Sequence, residues 1–132
     1  MNPPERIPAT PEARVLLRVA ARDRKTFELL RKLPDAPLAS MCFHAQQAVE
    51  KWLKATLVSH GVVFRHTHDL EELSHLLTNQ GIPLPLPAKE IGKLTPFAVA
   101  FRYDDEEVEP LDCEEAARIV ETVRCWAENA LE

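Results

Sequence analysis

Residues 38–61 read LASMCFHAQQAVEKWLKATLVSHG, and this stretch decides the fold class. Its apolar residues recur every three or four positions and share one helical face: Met41, Ala45, Ala48, Trp52 and Ala55. Gly61 follows, and glycine readily adopts the left-handed conformation that ends many helices. The pattern therefore predicts a long helix from about Leu38 to His60.

Two prolines mark the ends of another helix, which precedes the one just described. Thr10 is a suitable N-cap, Pro11 fits the first helical position, and Pro34 cannot continue a helix. The apolar residues between them share one face: Leu16, Ala20, Phe27, Leu30 and Leu33. These signals predict a first helix that begins at Pro11 and ends before Pro34.

Three further helical regions follow the second helix. A short one begins with a capping box at Asp69–Glu72 and ends at Gly81. A fourth covers about residues 88–101, where Thr95-Pro96 either kinks the helix or restarts it. A fifth begins with a second capping box at Asp112–Glu115.

The predicted fold class is all-α, an up-and-down bundle of four longer helices plus one short helix. The cluster of β-branched and aromatic residues at positions 62–64 is too short to found a sheet. A chain of 132 residues with 45% apolar residues fits one domain. We assign residues 1–10 to an N-terminal extension and residues 11–132 to a single helical domain.

Composition excludes several classes of protein. Three cysteines without a Cys-x-x-Cys pair argue against a disulfide framework or a zinc ribbon. No stretch approaches the ~18 apolar residues of a membrane span, and no signal peptide begins the chain. Three glycines are too few for a phosphate-cradling loop, and the net charge of −5 argues against a generally basic nucleic-acid binder. We expect a cytoplasmic protein without membrane contact.

The first helix carries three arginines, Arg14, Arg18 and Arg22, at successive intervals of four residues. Like charges at this spacing repel each other, so an anionic partner is expected. One candidate is internal, because the fifth helix carries a glutamate every seven residues: Glu114, Glu121 and Glu128. The other is a surface for RNA or a partner protein.

The second helix also carries a polar row, His44, Gln47 and Lys51, along one side. Ordinary half-exposed residues would give the same pattern, but the row also offers an imidazole, an amide and an ammonium to an anionic or nucleotide-like ligand. Asp23 lies among the apolar positions of the first helix, where a carboxylate needs a partner. The available cations include Lys51 and Arg102.

Four histidines crowd into sixteen positions around Asp69: His60, His66, His68 and His75. A His-x-His pair without a third ligand at a characteristic spacing is a weak metal signal, and Asp69 already serves as a helix cap. We therefore predict no metal site and no cofactor.

Three motifs in this chain resemble the HEPN domain, the higher eukaryotes and prokaryotes nucleotide-binding family. They are His-Ala-Gln-Gln-Ala-x-Glu-Lys at residues 44–51, Thr-His-Asp-Leu at residues 67–70, and Arg102-Tyr103. Asp23 also stands where the family commonly has an acidic residue. The resemblance implies an all-α bundle that often forms homodimers. Some members are metal-independent endoribonucleases, and others work beside a minimal nucleotidyltransferase.

The ribonuclease motif of the family is an arginine followed after four to six residues by a histidine. After Arg102 these positions hold Glu107, Val108 and Glu109, and no other arginine has a histidine at that distance. We therefore predict a non-nucleolytic member without catalytic residues. The alternative enzyme is a degenerate endoribonuclease toxin in which Arg102 works with His44 or His68.

The resemblance thus implies a prokaryotic HEPN protein that binds a nucleotide, such as ATP, as partner of a separately encoded minimal nucleotidyltransferase. The pair would be toxin–antitoxin-like or regulatory, and the chain itself would not be the transferase. A homodimer is expected, and RNA is a less favoured partner. The expected nucleotide-binding residues are Asp23, His44, Gln47, Lys51, Arg102 and Tyr103. A dimeric helical module for protein contacts, with no small ligand, is the remaining alternative.

Overall fold

The computed structural model describes residues 6–99 and 111–132. The helices are α1 (Pro11–Arg31), α2 (Leu38–Ser59), α3 (Leu70–Asn79), α4 (Ala88–Ile91) and α5 (Cys113–Ala130), and a 3-10 helix, Gly92–Ala98, continues directly from α4. The described residues contain no β-strand, only an isolated bridge between Ile7 and Leu131. The all-α prediction is confirmed.

The helix ends lie where their local signals predict them. The Thr10 side chain accepts a hydrogen bond from the amide of Ala13 at 3.1 Å, and the Asp69 carboxylate accepts two from the first turn of α3. Gly61 and Gly81, just beyond α2 and α3, have φ angles of 72° and 75°. This left-handed conformation favours glycine because it has no β-carbon.

In both predicted capping boxes, only one of the two expected hydrogen bonds forms within the described residues. The N-cap aspartate accepts from the first turn of the helix, but the glutamate does not accept from the N-cap amide. Asp112 accepts a hydrogen bond from the amide of Glu115 at 2.8 Å, but the Glu115 carboxylate turns away to Lys93. The Glu72 carboxylate likewise pairs with Arg65 instead of returning to the amide of its N-cap. Both glutamates thus help to fix chain segments outside their own helices.

The fourth helical region differs from the long helix predicted over residues 88–101. Its α-helical part, α4, has four residues, and the chain then continues as a seven-residue 3-10 helix through Pro96. Proline has no amide proton for an α-helical hydrogen bond. Gly92 marks the change, and a β-carbon there would overlap the side chain of Glu71. Residues 100–101 of the predicted helix lie outside the described residues.

Helix α2 lies at the centre of the structure. It packs against α1, α3, α5 and the 3-10 helix, and its predicted apolar face is buried. The largest fully buried side chains come from all of these elements: Phe27, Trp52, Leu53, Leu57, Leu73, Leu94 and Ile119. Among the described helices, none combines the length and the apolar character needed to cross a membrane.

Two glutamates of α5 reach α1, but they do not pair with the predicted arginine row. Glu121 binds Arg24 at 2.7 Å, Glu114 lies 3.9 Å from Arg31, and Glu128 pairs within α5 with Arg124. The row itself is exposed and makes no ion pair with any described residue: Arg14, Arg18 and Arg22. The internal explanation for this row is therefore wrong within the described ranges.

The Asp69→Ala variant should lose about 1 kcal/mol of unfolding free energy, because two amides at the start of α3 lose their acceptor. Denaturant unfolding measures this difference. Asp35→Ala is the matched control, because Asp35 is exposed and caps no helix in the structure. Equal losses in both variants would contradict the capping role.

Candidate functional site

Glu50 is a buried carboxylate in the middle of α2, with a side chain only 1% exposed. Its Oε1 accepts hydrogen bonds from Gln46 Nε2 at 3.0 Å and from His68 Nδ1 at 2.7 Å. Its Oε2 accepts from Lys51 Nζ at 3.2 Å and from Lys54 Nζ at 3.1 Å. We call these five residues the Glu50 cluster.

Helical spacing and the chain connection after α2 bring the cluster together. Gln46, Glu50 and Lys54 follow at intervals of four residues and so share one stripe of α2. His68 stands in the connection to α3, immediately before the Asp69 cap. The Gln46 amide also donates to the carbonyl oxygen of His68 at 3.3 Å. Residues 44–51 and 67–70, which carry two of the sequence motifs, therefore meet at Glu50.

The electrostatic balance keeps Glu50 ionised. Burial alone raises the pKa of this carboxyl, but the Gln46 hydrogen bond, the Lys51 charge, the His68 hydrogen bond and the Lys54 charge outweigh it and lower the pKa to about 2. An ionised carboxylate can only accept hydrogen bonds. The proton between Glu50 and His68 therefore belongs to Nδ1 of His68.

Lys51 joins the Glu50 cluster to the predicted polar row. Its ammonium donates to Gln47 Oε1 at 3.0 Å as well as to Glu50, and Gln47 in turn donates to Gln46 Oε1 at 2.6 Å. An ammonium has three N–H groups, and within the described residues Lys51 uses two of them. Its side chain is 18% exposed, and no described residue accepts a hydrogen bond from the third.

Asp23 contacts a different partner from the ones expected. Its Oδ1 lies 3.0 Å from Nδ1 of His44, and both side chains are partly exposed. The expected pairing with Lys51 is wrong, because the Lys51 ammonium is held by Glu50 and Gln47. The His44 ring also packs edge-on against Phe43, with ring centroids 5.2 Å apart. Asp23 and His44 thus form a second carboxylate–imidazole pair.

The described part of the chain contains four of the six residues predicted to bind a nucleotide. His44, Gln47 and Lys51 share one side of α2, and Asp23 reaches this row through His44. Arg102 and Tyr103 lie outside the described residues. Gln46, Glu50 and Lys54 were not among the predicted site residues, and His68 was considered only as a metal ligand or an alternative catalytic histidine. A usable signal was their spacing, with polar residues every four positions inside a largely apolar helix.

The histidines around Asp69 form no metal centre within the described residues, where no group of three or more His, Cys, Asp or Glu side chains could hold an ion. His66 and His68 contact each other edge to face, with ring centroids 5.3 Å apart. The Asp69 carboxylate is engaged by the amides of α3. The His68 ring instead donates a hydrogen bond to the Glu50 carboxylate.

The ionised Glu50 stabilises the folded chain, so the free energy of unfolding should decrease as the pH falls. Because its pKa is lowered from 4.5 to about 2 in the folded chain, the unfolded chain takes up the proton first as the pH drops. The contribution, on the order of 3 kcal/mol, is present above about pH 4.5 and is lost as the pH falls toward about 2. Glu50→Gln should therefore be destabilised most at neutral pH, and the gap to the native chain should narrow in acid.

Denaturant unfolding across this pH range measures that gap. The control is Glu114→Gln, because the Glu114 side chain is 89% exposed and its removal should cost less than about 1 kcal/mol at any pH. A Glu50→Gln chain as stable as the native one at neutral pH would contradict the role of this buried charge.

Comparison with known protein families matches residues 13–130 to the HEPN domain. Comparisons with curated proteins and with solved structures found no match. The family match begins two residues into α1 and ends at the last residue of α5, and it includes both motifs that meet at Glu50. The chain belongs to the HEPN domain family.

Proposed function

We propose that this HEPN domain binds a nucleotide through the polar row on α2 together with Asp23. The observation that carries the proposal is the ammonium of Lys51. Two protein acceptors, on Gln47 and Glu50, fix its position, and its third N–H group has no acceptor among the described residues. A positioned ammonium with a spare donor suits a phosphate oxygen, which accepts charged hydrogen bonds strongly.

The local charge supports an anionic ligand. Lys51 and Lys54 both bind the same carboxylate oxygen of Glu50, so two positive charges face one negative charge. The positive charge around Lys51 attracts phosphate to this end of the row, two helical turns from the Asp23 carboxylate at the His44 end. The phosphate end of a nucleotide therefore belongs near Lys51.

The imidazole of His44 suits the remainder of the nucleotide. When Nδ1 of a neutral His44 ring donates to Asp23, Nε2 is an acceptor for a ribose hydroxyl or a base amino group. The sequence-based expectation adds Arg102 as a phosphate fork and Tyr103 as a stacking ring. Those two roles stay predictions, because both residues lie outside the described ranges.

We further propose that the chain is the partner of a minimal nucleotidyltransferase in a prokaryotic cytoplasm, as a homodimer and in a toxin–antitoxin-like or regulatory pair. Membership in the HEPN family and the family resemblance of residues 44–51 and 67–70 support this pairing. In it, nucleotide chemistry is performed by the transferase and nucleotide recognition is shared with this chain.

The Lys51→Gln variant should bind nucleotide about 10- to 100-fold more weakly than the native chain, because one charged hydrogen bond to phosphate is lost. Calorimetric titration with ATP, ADP, AMP and GTP measures this directly. Lys89→Gln is the matched control, since Lys89 is exposed on α4 and should leave affinity unchanged. Equal affinities of the native chain and Lys51→Gln would contradict this site, and no binding of any nucleotide would favour the protein-contact module.

The partner is tested by affinity purification of the tagged chain from its native host. We expect a nucleotidyltransferase with paired metal-binding aspartates to co-purify in stoichiometric amount. Repeated purifications without such a protein would contradict the pairing while leaving the nucleotide titration to stand on its own.

A further inference from the structure

His68 has two chemically different edges. Nδ1 donates to the carboxylate of Glu50, which is almost completely buried, while the His68 side chain as a whole is 48% exposed. The exposed part of the ring is therefore mainly the edge away from Nδ1. Nε2 lies on that edge, and it makes no hydrogen bond to any described residue.

The hydrogen bond to Glu50 also determines the chemistry of Nε2. With the proton on Nδ1, a neutral imidazole keeps its lone pair on Nε2, where it is both basic and nucleophilic. When Nε2 forms a bond to an electrophile, the ring becomes positively charged. The adjacent carboxylate stabilises that charge and holds the ring in one orientation, as carboxylates do for catalytic histidines.

Two cations stand beside the same carboxylate. Lys51 and Lys54 bind Oε2 of Glu50, while His68 binds Oε1. Their remaining N–H groups suit the oxygens of a phosphoryl group, which carry negative charge throughout a transfer reaction. The electrophile that fits this combination of nucleophile and cations is phosphorus.

We propose that Nε2 of His68 is a phosphoryl-acceptor site that takes its phosphoryl group from a donor of the phosphoramidate class. The Nε2 lone pair forms the new P–N bond as the donor's own P–N bond breaks, and the leaving amine takes a proton from solvent. The Nδ1 proton stays on the ring in its hydrogen bond to Glu50. The product is an Nε2-phosphohistidine, and the step needs no bound nucleotide, although Lys51 belongs to this site and to the proposed nucleotide site.

The test treats the full chain with potassium phosphoramidate and Mg²⁺ and follows intact mass and 31P NMR. We expect one phosphoryl group per chain, stable to alkali and labile to acid, with the chemical shift of the Nε2 isomer. His68→Ala should abolish it. His66→Ala should leave it unchanged, which makes His66, whose ring contacts that of His68, the matched control.

The rate of phosphorylation tests the role of Glu50 separately. Glu50→Gln should slow phosphorylation of His68 about tenfold, because the carboxylate no longer stabilises the charged ring. If that variant does not fold, Gln46→Ala removes a neighbouring hydrogen bond but keeps the carboxylate, and it should retain the Nε2 isomer. Phosphorylation spread evenly over the five histidines, an Nδ1 product, or no product would each overturn the proposal.

Discussion

The structure depends on the compensation of one buried charge. An ionised carboxylate inside a protein costs several kcal/mol unless hydrogen bonds and opposite charges surround it. Glu50 meets this requirement with three donors from its own helix and one from His68, which stands in the connection to α3. The path of that connection is thereby tied to α2, and the position of α3 follows. The amide of Leu70, the first residue of α3, is in turn held by Thr95 of the 3-10 helix.

Local signals predicted the helix ends well, and they did so because each end depends on a few neighbouring residues. Thr10, Gly61 and Asp69 act through their own side chains or backbone, independently of the rest of the fold. The fourth region was less predictable. Apolar periodicity does not distinguish an α-helix from a 3-10 helix over two turns, and the tight packing at Gly92 is a tertiary contact.

The partners of the charged residues could not be predicted, because they depend on the rotation of each helix about its axis. Arg22 and Arg24 differ by two positions, which corresponds to about 200° around a helix, and it is Arg24 that meets Glu121. Asp23 binds His44 and not Lys51 for a related reason, since Lys51 has a closer acceptor on its own helix. Glu50 was missed because a charged residue on a long helix is more often exposed.

The Glu50 cluster shows which groups of the two family motifs are needed for the fold and which are not. Residues 44–51 and 67–70 meet through the hydrogen bond between Glu50 and Nδ1 of His68, so each motif supplies part of the shell around one buried charge. Packing alone therefore explains why both motifs occur together in this chain. Three features exceed what packing needs: the His44 ring at the surface, the third N–H group of Lys51, and Nε2 of His68. We propose that a function of this domain beyond its fold acts through these groups.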